Sequence, residues 1–324
     1  MKKVLIMIFS ICLLVGCNNT EKNDNNMKNT DNDLNNSVIE LNENEIQEPS
    51  TINSNENNDE IIEDKEEVIN VEEENKKEEK IDVVEEVSVD ATALSNKTNA
   101  WGFVRKKDGV QPEFAAIYTK VLEEYKGIYV GNKEEQVVYL TFDEGYENGY
   151  TPAILDTLKE KECPATFFVT TPYVKKNADL VQRMIDEGHI VGNHTVNHPS
   201  MPSVTDDEKL KNEVMGLHDY IKENFNYEMT YLRPPKGEYS ERTVAISKDL
   251  GYKTVLWSQA YDDWDVNNQK GIEYAKKMIL NNLHNGAVIL LHAVSKDNTE
   301  VLGEVIDEIR NRGYEISPLD EFVY

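Results

Sequence analysis

Cysteine is nearly missing from this chain, with three in 324 residues. Cys12 lies inside an apolar N-terminal run and Cys17 closes that run. Only Cys163 falls where the composition is globular, so no internal disulfide can staple that part and its core must stand on packing alone. An excess of positive charge is missing as well. Lys and Arg number 34 against 61 Asp and Glu, a formal net charge of −27, which argues against the basic face that nucleic-acid binding requires. The opening apolar run, Val4 to Val15, is too short to span a bilayer comfortably. Aromatics are lacking from Asn18 to Ser95, a stretch of Asn, Glu, Asp and Lys that carries roughly two thirds of the net charge. With no aromatics and no hydrophobic period, that stretch cannot bury enough surface to offset its ordering entropy. Residues 18–95 are therefore read as a disordered acidic tether.

The first 17 residues read as an export signal. Lys2 and Lys3 supply a positive start, the apolar run follows, and Leu14-Val15-Gly16-Cys17 closes it. This ending resembles a bacterial lipobox, which implies that Cys17 is lipidated and becomes the mature N-terminus. Each buried CH₂ of the acyl chains then contributes ~0.8 kcal/mol to membrane attachment. An ordinary cleaved signal or an uncleaved anchor are the alternatives. On the lipoprotein reading the chain is exported and anchored to the outer face of the cytoplasmic membrane. A flexible tether of that length has a root-mean-square span on the order of 50 Å, extended further by like charge, which suits a head that works on the cell wall.

Beyond Asn96 the composition is that of one globular domain. Short β-like runs alternate with helix-like stretches: Val137–Asp143, Ala165–Thr170, His189–His194, Tyr231–Pro235, Tyr252–Trp257, Ala287–His292 and a weaker Tyr314–Ser317. A helix is expected to start at Thr205, with Glu208 three residues on as its capping partner. Another is expected from Ser240 to Gly251. Strand–helix alternation of this kind argues for an α/β parallel sheet, closed or doubly wound. Asp143, His194, Arg233 and His292 all fall at C-terminal ends of different strands, where an α/β barrel collects its active site. An open sheet would gather ligands at one switch point instead.

Five short blocks carry this chemistry: Thr141-Phe142-Asp143-Glu144-Gly145, His194-Thr195-Val196-Asn197-His198, Arg233-Pro234-Pro235-Lys236-Gly237, Asp262-Asp263-Trp264 and Leu290-Leu291-His292. Each alone is weak. Vicinal acids are usually a solvated pair, and His-x-x-x-His is more often accidental than metal-binding. In this order, at or near strand ends, they resemble the motifs of the NodB-type polysaccharide deacetylases, carbohydrate esterase family 4. The segments Glu147-Asn148-Gly149-Tyr150-Thr151, Asn267-Asn268-Gln269-Lys270-Gly271 and Val294-Ser295-Lys296-Asp297-Asn298, with Trp101-Gly102-Phe103 upstream, are similar to the delta-lactam-biosynthetic de-N-acetylases, which act on muramic acid in spore-cortex peptidoglycan.

The resemblance implies a distorted, incomplete (β/α) barrel of about seven parallel strands, the NodB homology domain, over 137–324. The segment 96–136 would pack on it. It implies a divalent metal held by His194, His198 and Glu144, with Zn²⁺ first and Co²⁺, Ni²⁺ or Mn²⁺ as alternatives. It makes Asp143 the general base, His292 the general acid, Asp263 the partner that orients His292, and Arg233 the partner that holds Asp143. Trp264 and Pro235 would bind substrate, Trp264 as an apolar wall for the acetyl methyl. The implied partners are peptidoglycan glycan strands, and a monomer is expected. Two positions depart from the family pattern: Glu144 stands where a second Asp is usual, and Ala260 where the fourth motif usually begins with Asp. His189, His218 and His284 lie away from the strand C-termini and are read as structural. The rival readings are a non-catalytic wall-binding lipoprotein, a deacetylase of another N-acetylglucosamine polymer or of acetylated xylan, and an open-sheet binding protein.

Overall fold

The computed structural model describes residues 90–324. The expected signal peptide with Cys17, and residues 18–89 of the expected tether, lie outside the described residues. Seven strands form one parallel sheet: β1 (Val137–Glu144), β2 (Thr166–Val169), β3 (Ile190–Asn193), β4 (Tyr231–Leu232), β5 (Lys253–Thr254), β6 (Ala287–His292) and β7 (Glu315–Ile316). Their order is β6-β1-β2-β3-β4-β5, with β7 also paired to β1. The sheet curls into an incomplete barrel. Between the outermost strands, β5 and β6, only isolated bridges remain: Ile128 to Val255, Val130 to Ala287 and Gln259 to Ile289. The expected runs at Tyr231 and Tyr252 shrink to two paired residues each, because the chain turns at Pro234 and Leu256 leaves the ladder for Ile128.

Strand β1 is buried on both faces, as a strand covered by helices on one side and by barrel interior on the other must be. Its side chains alternate between two packing layers. Val138, Leu140 and Phe142 join the large outer core with Leu155 of α2 (Thr151–Glu160) and Leu302 of α8 (Lys296–Asn311). Tyr139 points inward and packs with Phe168, Ile190, Tyr231 and Val288 from four other strands. Gly192 of β3 is a packing requirement. A Cβ there would sit 2.6 Å from the ring of Phe168, which fills the barrel at that level.

The helices follow their capping signals, with one shift. Helix α5 (Asp207–Phe225) is capped by Asp206, whose carboxylate accepts from the Lys209 N–H at 2.9 Å, so its start lies one residue beyond Thr205. Helix α6 (Glu241–Asp249) begins at Ser240 with a reciprocal Ser240/Thr243 capping box and ends before Gly251, which takes φ +87°. Contacts with the barrel begin ahead of Asn96. Ala91–Ala93 already form a helical turn, and the Ser95 carbonyl accepts from the Arg242 N–H of α6 at 3.1 Å. Residues 99–100 then pair antiparallel with Glu238–Tyr239, and the Trp101 indole N–H donates to the Trp257 carbonyl at 2.7 Å. Trp101, Phe114 and Tyr129 stack into an aromatic cluster that ties this segment to the barrel wall. Among the described residues no helix is long and apolar enough to cross a membrane.

Candidate active site

The C-terminal ends of the strands open into a cavity of about 950 Å³. Parallel register sets His292, at the end of β6, beside Asp143 on β1, and Asp143 beside Phe168 on β2. Asp143 is buried and faces inward. Its Oδ1 accepts from Nη1 of Arg233 at 2.8 Å, while Nη2 donates to Thr141 Oγ1 at 2.8 Å, two residues back on the same face. The Arg233 guanidinium is fully buried and lies 4.1 Å from the centroid of the Phe168 ring. Its orientation is thus fixed by a carboxylate, a hydroxyl and an aromatic face. Burial pushes the Asp143 carboxyl up, but the charge and hydrogen bond of Arg233 outweigh it, and its pKa is held below the ordinary value.

On one side of Asp143 stands an imidazole pair. His194 Nδ1 meets the Arg233 carbonyl at 2.7 Å, which directs Nε2 into the cavity, 3.5 Å from Asp143 Oδ2. The His194 and His198 rings are 4.7 Å apart. The loop between them is tightly wound: Thr195 and His198 both take positive φ, the Asn193 side chain accepts from the Thr195 N–H, and Thr195 Oγ1 accepts from the His198 N–H. Burial pushes His194 down to about 4 and lowers His198 as well, so both rings are neutral near pH 7, the form that ligates metals.

On another side stands His292. Its Nδ1 lies 2.8 Å from Asp263 Oδ1, and its backbone N–H donates to Asp263 Oδ2 at 2.8 Å. Burial alone would lower this imidazole, but the Asp263 carboxylate outweighs it and raises the pKa above the ordinary 6.5. The cavity therefore holds one carboxylate biased to be ionised opposite one imidazole biased to be protonated. Such a pair can take a proton from water and give one to a leaving group.

The chain matches the polysaccharide deacetylase family over residues 130–255. It is 41% identical over 235 residues to the peptidoglycan-N-acetylmuramic acid deacetylase PdaA of Bacillus subtilis, covering 72% of this chain and 89% of that protein. The chain belongs to the polysaccharide deacetylases, family 4 of the carbohydrate esterases. The solved structure of Bacillus subtilis PdaA, a family 4 carbohydrate esterase, aligns with a TM-score of 0.69 at 40% identity over 71% of this chain and 98% of that one. An uncharacterized 30.6 kDa protein of Geobacillus stearothermophilus is 46% identical over 237 residues, 73% of this chain and 89% of that protein.

This esterase departs from the expected ligand set at one residue. The alternation of β1 sends Glu144 to the helix side, opposite Asp143. Its carboxyl is fully buried against Thr151 Oγ1 at 3.2 Å and does not line the cavity. Burial, reinforced by the nearby Glu147 charge, raises its pKa well above the ordinary value. Among the described residues no three His, Cys, Asp or Glu side chains are drawn together as a metal cluster. Deacetylases of this family are generally metal-dependent, and two features here fit an ion. They are the neutral imidazole pair with His194 Nε2 turned into the cavity, and Asp143 Oδ2, 3.5 Å from that nitrogen. His194 and His198 would hold the metal without Glu144.

Pro235 is also placed differently from expectation. It is buried and does not line the cavity; the lining residue is its neighbour Lys236, which takes φ +61°. Trp264 does line the cavity, at its rim, with 60% of its surface exposed. Tyr146 lines the rim too at 53% exposure; as a lone aromatic after the first motif it gave no signal in the sequence. The remaining histidines lie elsewhere. His284 bonds Ser258 Oγ and the Asn282 carbonyl, His218 bonds Tyr252 and Glu228, and His189 immediately precedes β3 with neither ring nitrogen partnered.

Proposed function

We propose that this esterase removes N-acetyl groups from peptidoglycan glycan, acting on N-acetylmuramic acid residues during formation of the muramic delta-lactam of spore cortex. The observation that carries this reading is the opposed pair in one cavity, Asp143 fixed by Arg233 and His292 fixed by Asp263, beside the His194/His198 pair. The resemblance to a named N-acetylmuramic acid deacetylase supports the choice of glycan.

In this mechanism Asp143 accepts a proton from the attacking water, because Arg233 keeps the carboxylate ionised and pointed inward. His292 donates a proton to the departing amine through Nε2, since Asp263 occupies Nδ1. Amide cleavage depends on that step, as an unprotonated amine is a poor leaving group. Trp264 and Leu290 give the cavity an apolar wall for the acetyl methyl. A divalent metal at His194 and His198, Zn²⁺ before Co²⁺, Ni²⁺ or Mn²⁺, would supply a Lewis acid for the carbonyl and lower the pKa of water. We further propose that the chain is exported, that Cys17 is lipidated, and that the acidic tether lets a monomeric head reach glycan beyond the membrane.

Acetate release from peptide-stripped peptidoglycan, compared with N-acetylglucosamine oligomers, tests the substrate. Faster release from the muramic acid polymer is the expected result. Equal or preferred turnover of N-acetylglucosamine oligomers would move the assignment to another glycan. Cys17→Ala is expected to shift the protein from the membrane fraction to the soluble one.

A further inference from the structure

Two segments with no part in the chemistry above, Asn267–Gly271 and Val294–Asn298, meet directly behind His292. Gln269 Oε1 accepts from Ser295 Oγ at 2.7 Å, and its amide donates to the backbone carbonyls of Asp263 and Asp265 at 3.0 Å each. Asp297 Oδ2 accepts from the Gly271 N–H at 2.6 Å. The loop that carries Asp263 is thereby tied to the first turn of α8. At the centre sits Asn298, 1% exposed. Its Nδ2 donates to Asp263 Oδ2 at 2.6 Å, and its Oδ1 accepts from the Tyr261 hydroxyl.

Asp263 grips His292 twice, at the ring through Oδ1 and at the backbone through Oδ2. Rotation of the carboxylate about its Cβ–Cγ bond would break both contacts together. The third donor, Asn298, resists that rotation. The direction of the Asn298 amide is fixed in turn, because a carboxylate only accepts and the Tyr261 hydroxyl donates to the other end. Burial, with the Asp263 and Asp297 charges, raises the Tyr261 pKa, so the hydroxyl keeps its proton and stays a donor.

We infer that Asn298, oriented by Tyr261, is a positioning residue for the general acid: it locks the Asp263 carboxylate so that His292 keeps its proton on Nδ1 and presents Nε2 to the substrate. This rests on the reading of His292 as the acid. The charged and titratable groups that face His292 are Asp263 from the loop, Asp143 from β1, Arg233 after β4 and His198 across the cavity. None of them can hold the Asp263 carboxylate in place of Asn298, since Arg233 is engaged with Asp143 and Thr141.

The test uses the full chain with Asn298→Ala and Tyr261→Phe, read in two ways. In kinetics, Asn298→Ala is expected to lower kcat about 10–100-fold with KM within about twofold, and to move the alkaline limb of the pH–rate profile. Tyr261→Phe is expected to show the same pattern at smaller amplitude, and it carries the test if Asn298→Ala fails to fold. Independently of any substrate, long-range ¹H–¹⁵N NMR of labelled histidines should show neutral His292 as the Nδ1–H tautomer in the parent and a mixed tautomer in Asn298→Ala. An unchanged tautomer and an unmoved alkaline limb in both variants would overturn the inference, even if kcat fell, because the residue would then only support the scaffold. If the tautomer shifts while His292→Ala keeps full activity, the positioning of His292 stands and its reading as the acid fails.

Discussion

Strand β1 places two carboxyl groups one residue apart in two different environments. Asp143 turns inward and meets the Arg233 guanidinium at 2.8 Å. Glu144 turns outward into the layer built on Val138, Leu140 and Phe142, where its hydrogen-bond partner is the Thr151 hydroxyl. Both are buried, yet their pKa values move in opposite directions. Burial pushes both up; only Asp143 has a cation fixed against it to reverse the effect. Adjacent acids in a strand therefore do not form a pair in space, and burial by itself does not make a catalytic carboxylate.

The largest effects should fall on the inner face. Asp143→Asn and His292→Ala are each expected to cut acetate release at least ~10²–10⁴-fold, because the proton taken from water and the proton given to the amine belong to one reaction. Circular dichroism should show the fold retained, while melting temperature should fall most in Asp143→Asn, which leaves the buried Arg233 guanidinium without its carboxylate. Near-parent turnover in either variant would place the chemistry elsewhere. Arg233→Met breaks the comparison from the other partner. It leaves Asp143 buried with no cation, a change that costs about 3–5 kcal/mol in comparable buried pairs. Denaturant midpoints should show that loss, and adding Asp143→Asn to Arg233→Met should recover part of it.

Much of this was legible in the sequence. The strand–helix alternation and the gathering of Asp143, His194 and His292 at one cavity, with Arg233 bonded to Asp143, follow from runs of which several end at or near a reactive side chain. Glu144 stays out of the cavity for a reason contained in the strand itself. The period of two in the same strand puts 138, 140, 142 and 144 on one face, and that signal was available. Pro235 stays out of the cavity for a different reason: a turn with positive φ at Lys236 exchanges which neighbour reaches the cavity, and nothing in Arg-Pro-Pro-Lys-Gly announces it. The partner of Asp263 was out of reach of any local pattern. Asn298 lies 35 residues further on, and only the packing of α8 against the loop brings it there.

The pH dependence sharpens the contrast between the two catalytic groups. Asp143 must be ionised to act, and Arg233 holds its pKa below 3.8, so the acid limb should lie lower than for a free aspartate. His292 must be protonated to act, and Asp263 raises it above 6.5, so the alkaline limb should lie higher than for a free histidine. Turnover should be lost below the first and above the second, leaving a plateau broader than two unperturbed groups would give. A profile of kcat/KM over pH measures both limbs. An acid limb at or above the ordinary aspartate value would mean that the Arg233 pairing is not maintained in solution.

The smallest effect is expected on the outer face. Glu144→Gln keeps the shape of a carboxyl that burial biases toward its neutral form, and the amide can still bond Thr151. Activity and the chelator concentration that abolishes it should match the parent, in contrast to His194→Ala, which should lower bound metal. The stability signature is distinct and has a sign. A carboxyl whose folded pKa is raised stabilises the fold fully below its unfolded value of 4.5, and that contribution is lost as pH rises through the folded value. Gln has no proton to lose, so the variant should gain in melting temperature relative to the parent as pH is raised. Should Glu144→Gln instead need more metal for turnover, Glu144 would have to face His194 and His198. That requires β1 to turn by one residue at its end, and such a turn would carry Asp143 away from Arg233.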